Sequence, residues 1–250
     1  MTPRHTAPDE DRDLAALTTA LPALGTPERA ERERAYLRSD LRHLGVPVPA
    51  LRRAVTGWYR GLGPVGHDRA LRLSARLWDE PVYEHRWAAV ELLRLAVADL
   101  EVADLPVVES MVRRARTWAL VDTLAVHVAG AVVLRSPAEG SPVLDRWLAD
   151  GDFWVRRTAL LALLPGIRAG TPDLARVDRY GRATVAEREF FVRKALGWVL
   201  RELSRGEPAF VRTWVDTHRA AMSGTTLREA LRHLPATDAA TDPAGTAASR

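Results

Sequence analysis

The sequence predicts an all-α solenoid of about six stacked helix pairs, and two observations carry that prediction. The first is an internal repeat. Phe153-Trp154-Val155-Arg156-Arg157-Thr158-Ala159-Leu160 is echoed 37 residues later by Phe190-Phe191-Val192-Arg193-Lys194-Ala195-Leu196-Gly197, with the order aromatic, aromatic, Val, Arg, cation kept. Helical repeats of about 35–45 residues mark stacked helix pairs, each burying its apolar face against the next. The second is periodicity: apolar residues recur at helical spacing, and no alternating run of convincing length reads as a strand.

Taken in order, the polar residues 1–8 read as a disordered tail, and Glu10–Leu21 as a short helix ended by Pro22 and Gly25. Thr26-Pro27-Glu28 offers a Thr cap and Pro at the first helical position, starting a helix to about Leu41. After the break at Gly45–Pro49 a helix runs to Tyr59, with Leu51, Val55 and Trp58 on one stripe. His67–Trp78, Tyr83–Val97, Leu105–Ala115 and Thr117–Leu134 follow, the last with Thr117 as its cap. Ser136–Pro142 reads as a loop, then Val143–Ala149 and Asp152–Leu164 as a pair. Segments 172–182, 186–204, Pro208–His218 and Thr225–His233 close the array. Residues 236–250, small and polar, read as a second tail, leaving 9–235 as one domain.

The repeat register extends backwards and aligns Arg86, Asp122, Arg157 and Lys194, three cations and one carboxylate. Trp118 lies one helical turn before Asp122, and Trp198 one turn after Lys194, so each pair shares a helix face. A single Arg or Trp in such a pattern is ordinarily a solvated stripe or a core residue. A lone acid framed by basic and indole side chains on one concave face is harder to place that way, although a salt bridge from Asp122 to Arg86 or Arg157 would account for it structurally.

The chain has 250 residues, no cysteine, and an ordinary balance of 47% hydrophobic and 27% charged residues. Disulfides and thiolate metal sites are therefore excluded. No apolar run reaches the roughly 18–20 residues of a membrane span, and the polar N-terminus lacks the apolar segment of a signal peptide, so a cytoplasmic protein with no membrane partner is expected. The net charge of +4 does not by itself establish nucleic-acid binding. Local clusters count for more: Arg113-Arg114, Arg156-Arg157 and Arg193-Lys194 all fall within the repeats, and Lys194 is the sole lysine. There is no phosphate-binding glycine loop, no nucleophile elbow and no metal-ligand spacing among the seven histidines, so neither cofactor nor metal is expected. Ser204 and Ser223 fall near helix ends, where capping is their natural role.

WALVD (118–122), FWVRRTALL (153–161) and FFVRKALGWVLRE (190–202) strongly resemble the AlkD-type alkylpurine DNA glycosylases, over roughly residues 27–235. The resemblance implies stacked HEAT-like helix pairs with a concave DNA-binding face and excision of cationic N3- and N7-alkylated purines from double-stranded DNA, the lesion staying stacked instead of being flipped out. It places the family's active-site residues on Trp118, Asp122, Arg157 and Trp198. Thr117 departs from the family pattern, which has a second adjacent Trp there. The chemistry fits these residue types. A cationic purine is already a good leaving group, so a fixed carboxylate, Asp122, has to stabilise only the oxocarbenium character developing on the sugar and to place a water. Indole faces attract cations; Arg157 is expected to hold a backbone phosphate; and Arg86, Arg113, Arg114, Arg156, Arg193 and Lys194 supply sequence-independent DNA affinity. A monomer, nucleoid-associated when bound to DNA, is expected. The alternative is a non-catalytic HEAT-repeat scaffold that binds DNA or protein.

Overall fold

A computed structural model describes residues 7–234 of the chain. The two expected tails lie outside the described residues, except that Ala7 and Pro8 already open the first helix, α1 (Ala7–Ala20). A 3₁₀ turn follows, and then α2 (Pro27–Leu37), with the Thr26 side chain accepting from the Arg29 N–H as expected of a cap. α2 ends at Arg38 in the left-handed region, short of the expected Leu41.

The loop from α2 to α3 (Val48–Gly61) is packed against the start of α2. Gly45 has φ 76°, and a Cβ there would lie 2.2 Å from the Thr26 carbonyl oxygen, so only glycine fits. The loop is tied to the start of α5 (Tyr83–Leu95) by a parallel bridge between Arg42 and Val82, the limit of β pairing among the described residues. It is also tied by Glu84, whose fully buried carboxylate accepts from the N–H groups of Leu44, Gly45 and Val46 at 2.9, 2.7 and 3.1 Å.

α4 (His67–Asp79) packs on α5 (Tyr83–Leu95), and α6 (Leu105–Ala115) on α7 (Trp118–Leu124). α7 continues through a π-helical turn, Ala125–Ala129, into α8 (Gly130–Arg135). At Gly130 a Cβ would meet the Ala162 carbonyl oxygen at 2.8 Å and Pro165 at 2.9 Å, so glycine is needed for this close approach. Thr117 is nearly fully buried and its hydroxyl caps nothing, contrary to expectation. Trp118–Arg135 is long and apolar enough to cross a membrane, which corrects the expectation that no such run exists. In the fold it is a core helix, with Leu120, Val121, Leu124, Val128 and Ala129 buried against its neighbours.

The expected loop 136–142 is helical instead. α9 (Pro137–Leu148) starts on Pro137, contains Pro142, and is held by burial of Leu144 and Trp147 on its inner face. α10 (Phe153–Leu161), capped by Asp152, lies at the centre and contacts α6, α7, α9 and the later helix α13 (Phe190–Leu203). α11 (Leu164–Arg168), α12 (Leu174–Thr184), α13 (Phe190–Leu203), α14 (Pro208–His218) and α15 (Gly224–Leu231) complete the all-α helical-repeat array. The Ser223 hydroxyl caps α15, and Ser204 closes α13 by donating to the Arg201 carbonyl.

Candidate active site

Successive repeats place α7, α10 and α13 side by side, and this brings Asp122 and Arg157 together. The Arg157 guanidinium donates from Nε to Asp122 Oδ1 at 2.7 Å and from Nη2 to Oδ2 at 2.8 Å. Its Nη1 donates to the Phe191 carbonyl at the start of α13, and its plane lies 5.8 Å from the Phe191 ring centre. Arg157 is only 2% exposed. The Asp122 side chain, at 15%, keeps an open edge. A fork-to-fork pair of this kind fixes a carboxylate in both position and plane.

That open edge faces a cavity of about 430 Å³ that opens to solvent. Three indoles line it, Trp87, Trp118 and Trp198, together with Tyr36 and Tyr83. Trp118 begins α7, one turn before Asp122, and Tyr36 stands on it edge-to-face, with ring centres 6.0 Å apart and planes at 86°. Tyr36 is 73% exposed, an unusual amount for an aromatic side chain at a cavity mouth. Trp198 donates from Nε1 to Glu202 at 3.2 Å, and Arg168 lies over its ring at 5.8 Å. Arg52 lies over Trp87 at 5.3 Å. Arg52, Arg168 and His127 make one wall basic. Burial first, and then Arg168, Arg94 and Arg52, lower the His127 pKa below the usual 6.5.

The structure thus brings together Trp118, Asp122, Arg157 and Trp198, with Arg157 beneath the surface and not on it. Its expected phosphate contact does not suit this geometry: the guanidinium is buried and committed to Asp122 and Phe191. Of the four aligned residues, Asp122 alone lines the cavity among the described residues. Arg86 donates to the carbonyls of Arg114 and Glu80, and burial is the main cause of its lowered pKa. Lys194 is exposed, its ammonium 6.0 Å from the Phe190 ring centre. The other basic candidates have partners: Arg113 with Glu109 and Asp150, Arg114 with Asp79, Arg156 with Glu187, and Arg193 with the Arg188 carbonyl. The exposed ion pairs among them are weak enough for a phosphate to compete with the acid.

Sequence reasoning missed Tyr36, Trp87, Arg52, Arg168 and His127. Trp87 sits one residue past the aligned Arg86, and Tyr36 is the single aromatic of the charged segment PERAERERAYL. Those were the available signals.

The sequence model of the DNA alkylation repair enzyme family matches residues 17–234. Three solved structures share the fold. A predicted DNA alkylation repair enzyme from Enterococcus faecalis superposes with a TM-score of 0.75 at 20% identity, over 84% of this chain and 96% of that one. AlkD2 from Streptococcus mutans gives 0.64 at 16% identity, over 91% and 100%. The smu.31 protein from Streptococcus mutans UA159 gives 0.56 at 17%, over 74% and 100%. No curated protein is matched by the sequence.

Proposed function

Because the chain belongs to the DNA alkylation repair enzyme family, we propose that it is a DNA glycosylase, one that hydrolyses the N-glycosidic bond of cationic N3- and N7-alkylated purines in duplex DNA. The observation that carries this reading is the Asp122 carboxylate, locked by a buried arginine and set with three indoles at the wall of an open cavity.

As the bond from C1′ to the purine nitrogen breaks, the alkylated base takes the electron pair and loses its formal charge. No proton has to be delivered to it. Positive charge develops instead on the deoxyribose, where a carboxylate already fixed in place stabilises it without reorganising. Water then adds at C1′ and gives up a proton to solvent, leaving an abasic site and the free base. Arg157 positions Asp122 and touches no substrate. Trp118, Trp198 and Trp87 select for cationic nucleotides through their ring faces, each contact contributing roughly 0.5–2 kcal/mol. Arg52 and Arg168 at the rim are placed to meet backbone phosphates, with Lys194 and the ion-paired arginines adding diffuse attraction. Because the cavity is open, the sugar and backbone can reach Asp122 with the lesion still stacked, and base flipping is not needed.

Incubation with duplex DNA carrying 7-methylguanine tests the reading, by release of the free base over several turnovers. Binding without release, in the wild type as in the Asp122→Asn variant, would instead identify a non-catalytic scaffold.

A further inference from the structure

Glu33 on α2, which lines the cavity, meets His43 on the following loop and Glu84 on α5 behind it, although Glu84 is far away in sequence. One ligand atom from each lies within 4.8 Å of the other two. The His43 side chain is only 1% exposed, and neither of its ring nitrogens has a hydrogen-bond partner among the described residues; nor has Glu33 Oε2. Buried polar atoms without partners are rare in folded proteins, and three in one cluster call for an explanation.

A doubly protonated imidazole does not supply one. Its two N–H groups would each need an acceptor, yet neither has one among the described residues, and Glu33 Oε2 lies 3.7 Å from His43 Nδ1, beyond hydrogen-bond reach. Tyr83 stacks on the imidazole at 4.4 Å between ring centres and holds its plane. Glu84 receives two N–H groups on Oε1 and one on Oε2, so Oε2 keeps a lone pair for another partner. The arrangement offers one imidazole nitrogen and two carboxylate oxygens, and the two carboxylates balance a divalent charge.

We propose that Glu33, His43 and Glu84 form a divalent-cation site. Metal–ligand bonds of about 2.0–2.2 Å set three ligand atoms about 3.3–3.8 Å apart, so the trio closes on an ion by about 1 Å or less. An imidazole among oxygens favours zinc or manganese over magnesium. The ion joins three segments and secures α2 in particular, whose buried residue is Leu37 alone. It pins α2, which carries Tyr36 one turn beyond Glu33, to α5, which carries Trp87. The site is therefore structural and stands apart from the chemistry at Asp122, independent of the proposed glycosylase reading.

The test uses the full-length chain, stripped with EDTA and titrated with zinc, manganese or magnesium by calorimetry, with thermal unfolding followed in parallel. One equivalent of zinc or manganese should bind and raise the melting temperature. Glu33→Gln and His43→Gln should each weaken binding by at least about tenfold. Absence of binding up to millimolar ion overturns the proposal, as does binding of the same strength in both variants, which would put the ion elsewhere. If His43→Gln fails to fold, Glu33→Gln, at a more accessible position, decides alone.

Discussion

Asp122 and Arg157, 35 residues apart, are joined by two parallel hydrogen bonds of 2.7 and 2.8 Å between α7 and α10. The pair is asymmetric: the arginine is sealed beneath the surface, while one edge of the carboxylate opens on the cavity. Asp122→Asn keeps the shape but removes the charge aimed at the developing cation. Base release should fall about 10²–10³-fold, as when a single preorganised electrostatic group is lost, with DNA affinity nearly unchanged. Single-turnover excision of 7-methylguanine reads this directly, and a wild-type rate removes Asp122 from the mechanism.

Arg157→Ala should behave differently from the loss of a surface phosphate contact. It strands Asp122 partly buried without its partner, at a cost of about 3 kcal/mol in urea unfolding. The salt dependence of DNA binding should keep its wild-type slope, because no released counterion is tied to a buried guanidinium. A slope shallower by about one phosphate contact would restore the role expected from the sequence.

The contrast between these variants shows what was legible in the sequence. Trp118 and Asp122 are four apart on one helix, so their shared face follows from helical geometry alone. The repeat register brought Arg157 opposite Asp122, and the bidentate pair realises one of the two salt bridges that register allowed. Arg157's depth was not legible, because it depends on how closely α13 approaches α10 and offers the Phe191 carbonyl. Tyr36, Arg52 and Arg168 come from helices distant in sequence and meet only in the folded array. The loop expected at 136–142 failed for a related reason: its prolines and glycine read as turn residues, whereas burial of Trp147 and Leu144 makes the segment a helix.

Glu84 should prove essential to the fold near the cavity. Its buried carboxylate satisfies three consecutive N–H groups, and glutamine presents one acceptor oxygen and an amide that opposes the remaining donors. Glu84→Gln in EDTA should lose about 2–3 kcal/mol of stability. Equal denaturation midpoints for the two proteins would show that the loop finds other acceptors.

His127 predicts an acid limb in stability. Its pKa is lowered, so between that value and the ordinary 6.5 the unfolded chain binds more protons than the folded protein. This contribution is complete above about 6.5 and is lost as pH falls toward the lowered pKa. His85, lowered mainly by burial, acts with the same sign. His67, raised by hydrogen bonds to Asp104 and Asp68, acts oppositely, its contribution being lost as pH rises through its folded pKa. His127→Gln should flatten the fall in melting temperature below pH 6.5 without removing it, since His85 remains. Superimposable profiles would show that His127 is hydrated in solution.

Lesion charge, not lesion size, should decide what is excised. Thr117 does not bear on size, because it is buried and does not line the cavity, so the missing second indole leaves no extra room. Room comes from the open mouth, where Tyr36 stands mostly in solvent and can move aside. A bulky cationic N3- or N7-adduct should then be released within about tenfold of the methyl lesion, since the reacting bond is beside Asp122 in both cases. Hypoxanthine and ethenoadenine are small, but they carry no charge for Trp87, Trp118 and Trp198 to attract, and they leave poorly without protonation, which the Asp122 carboxylate held by Arg157 does not supply. Single-turnover release from matched duplexes carrying a methyl cation, a bulky cation and hypoxanthine ranks the three. Release of hypoxanthine ahead of the bulky cation would contradict both the open cavity and selection by the indoles. Trp118→Leu or Trp198→Leu should narrow the gap between cationic and neutral lesions, while a change at Thr117 should leave it where it is.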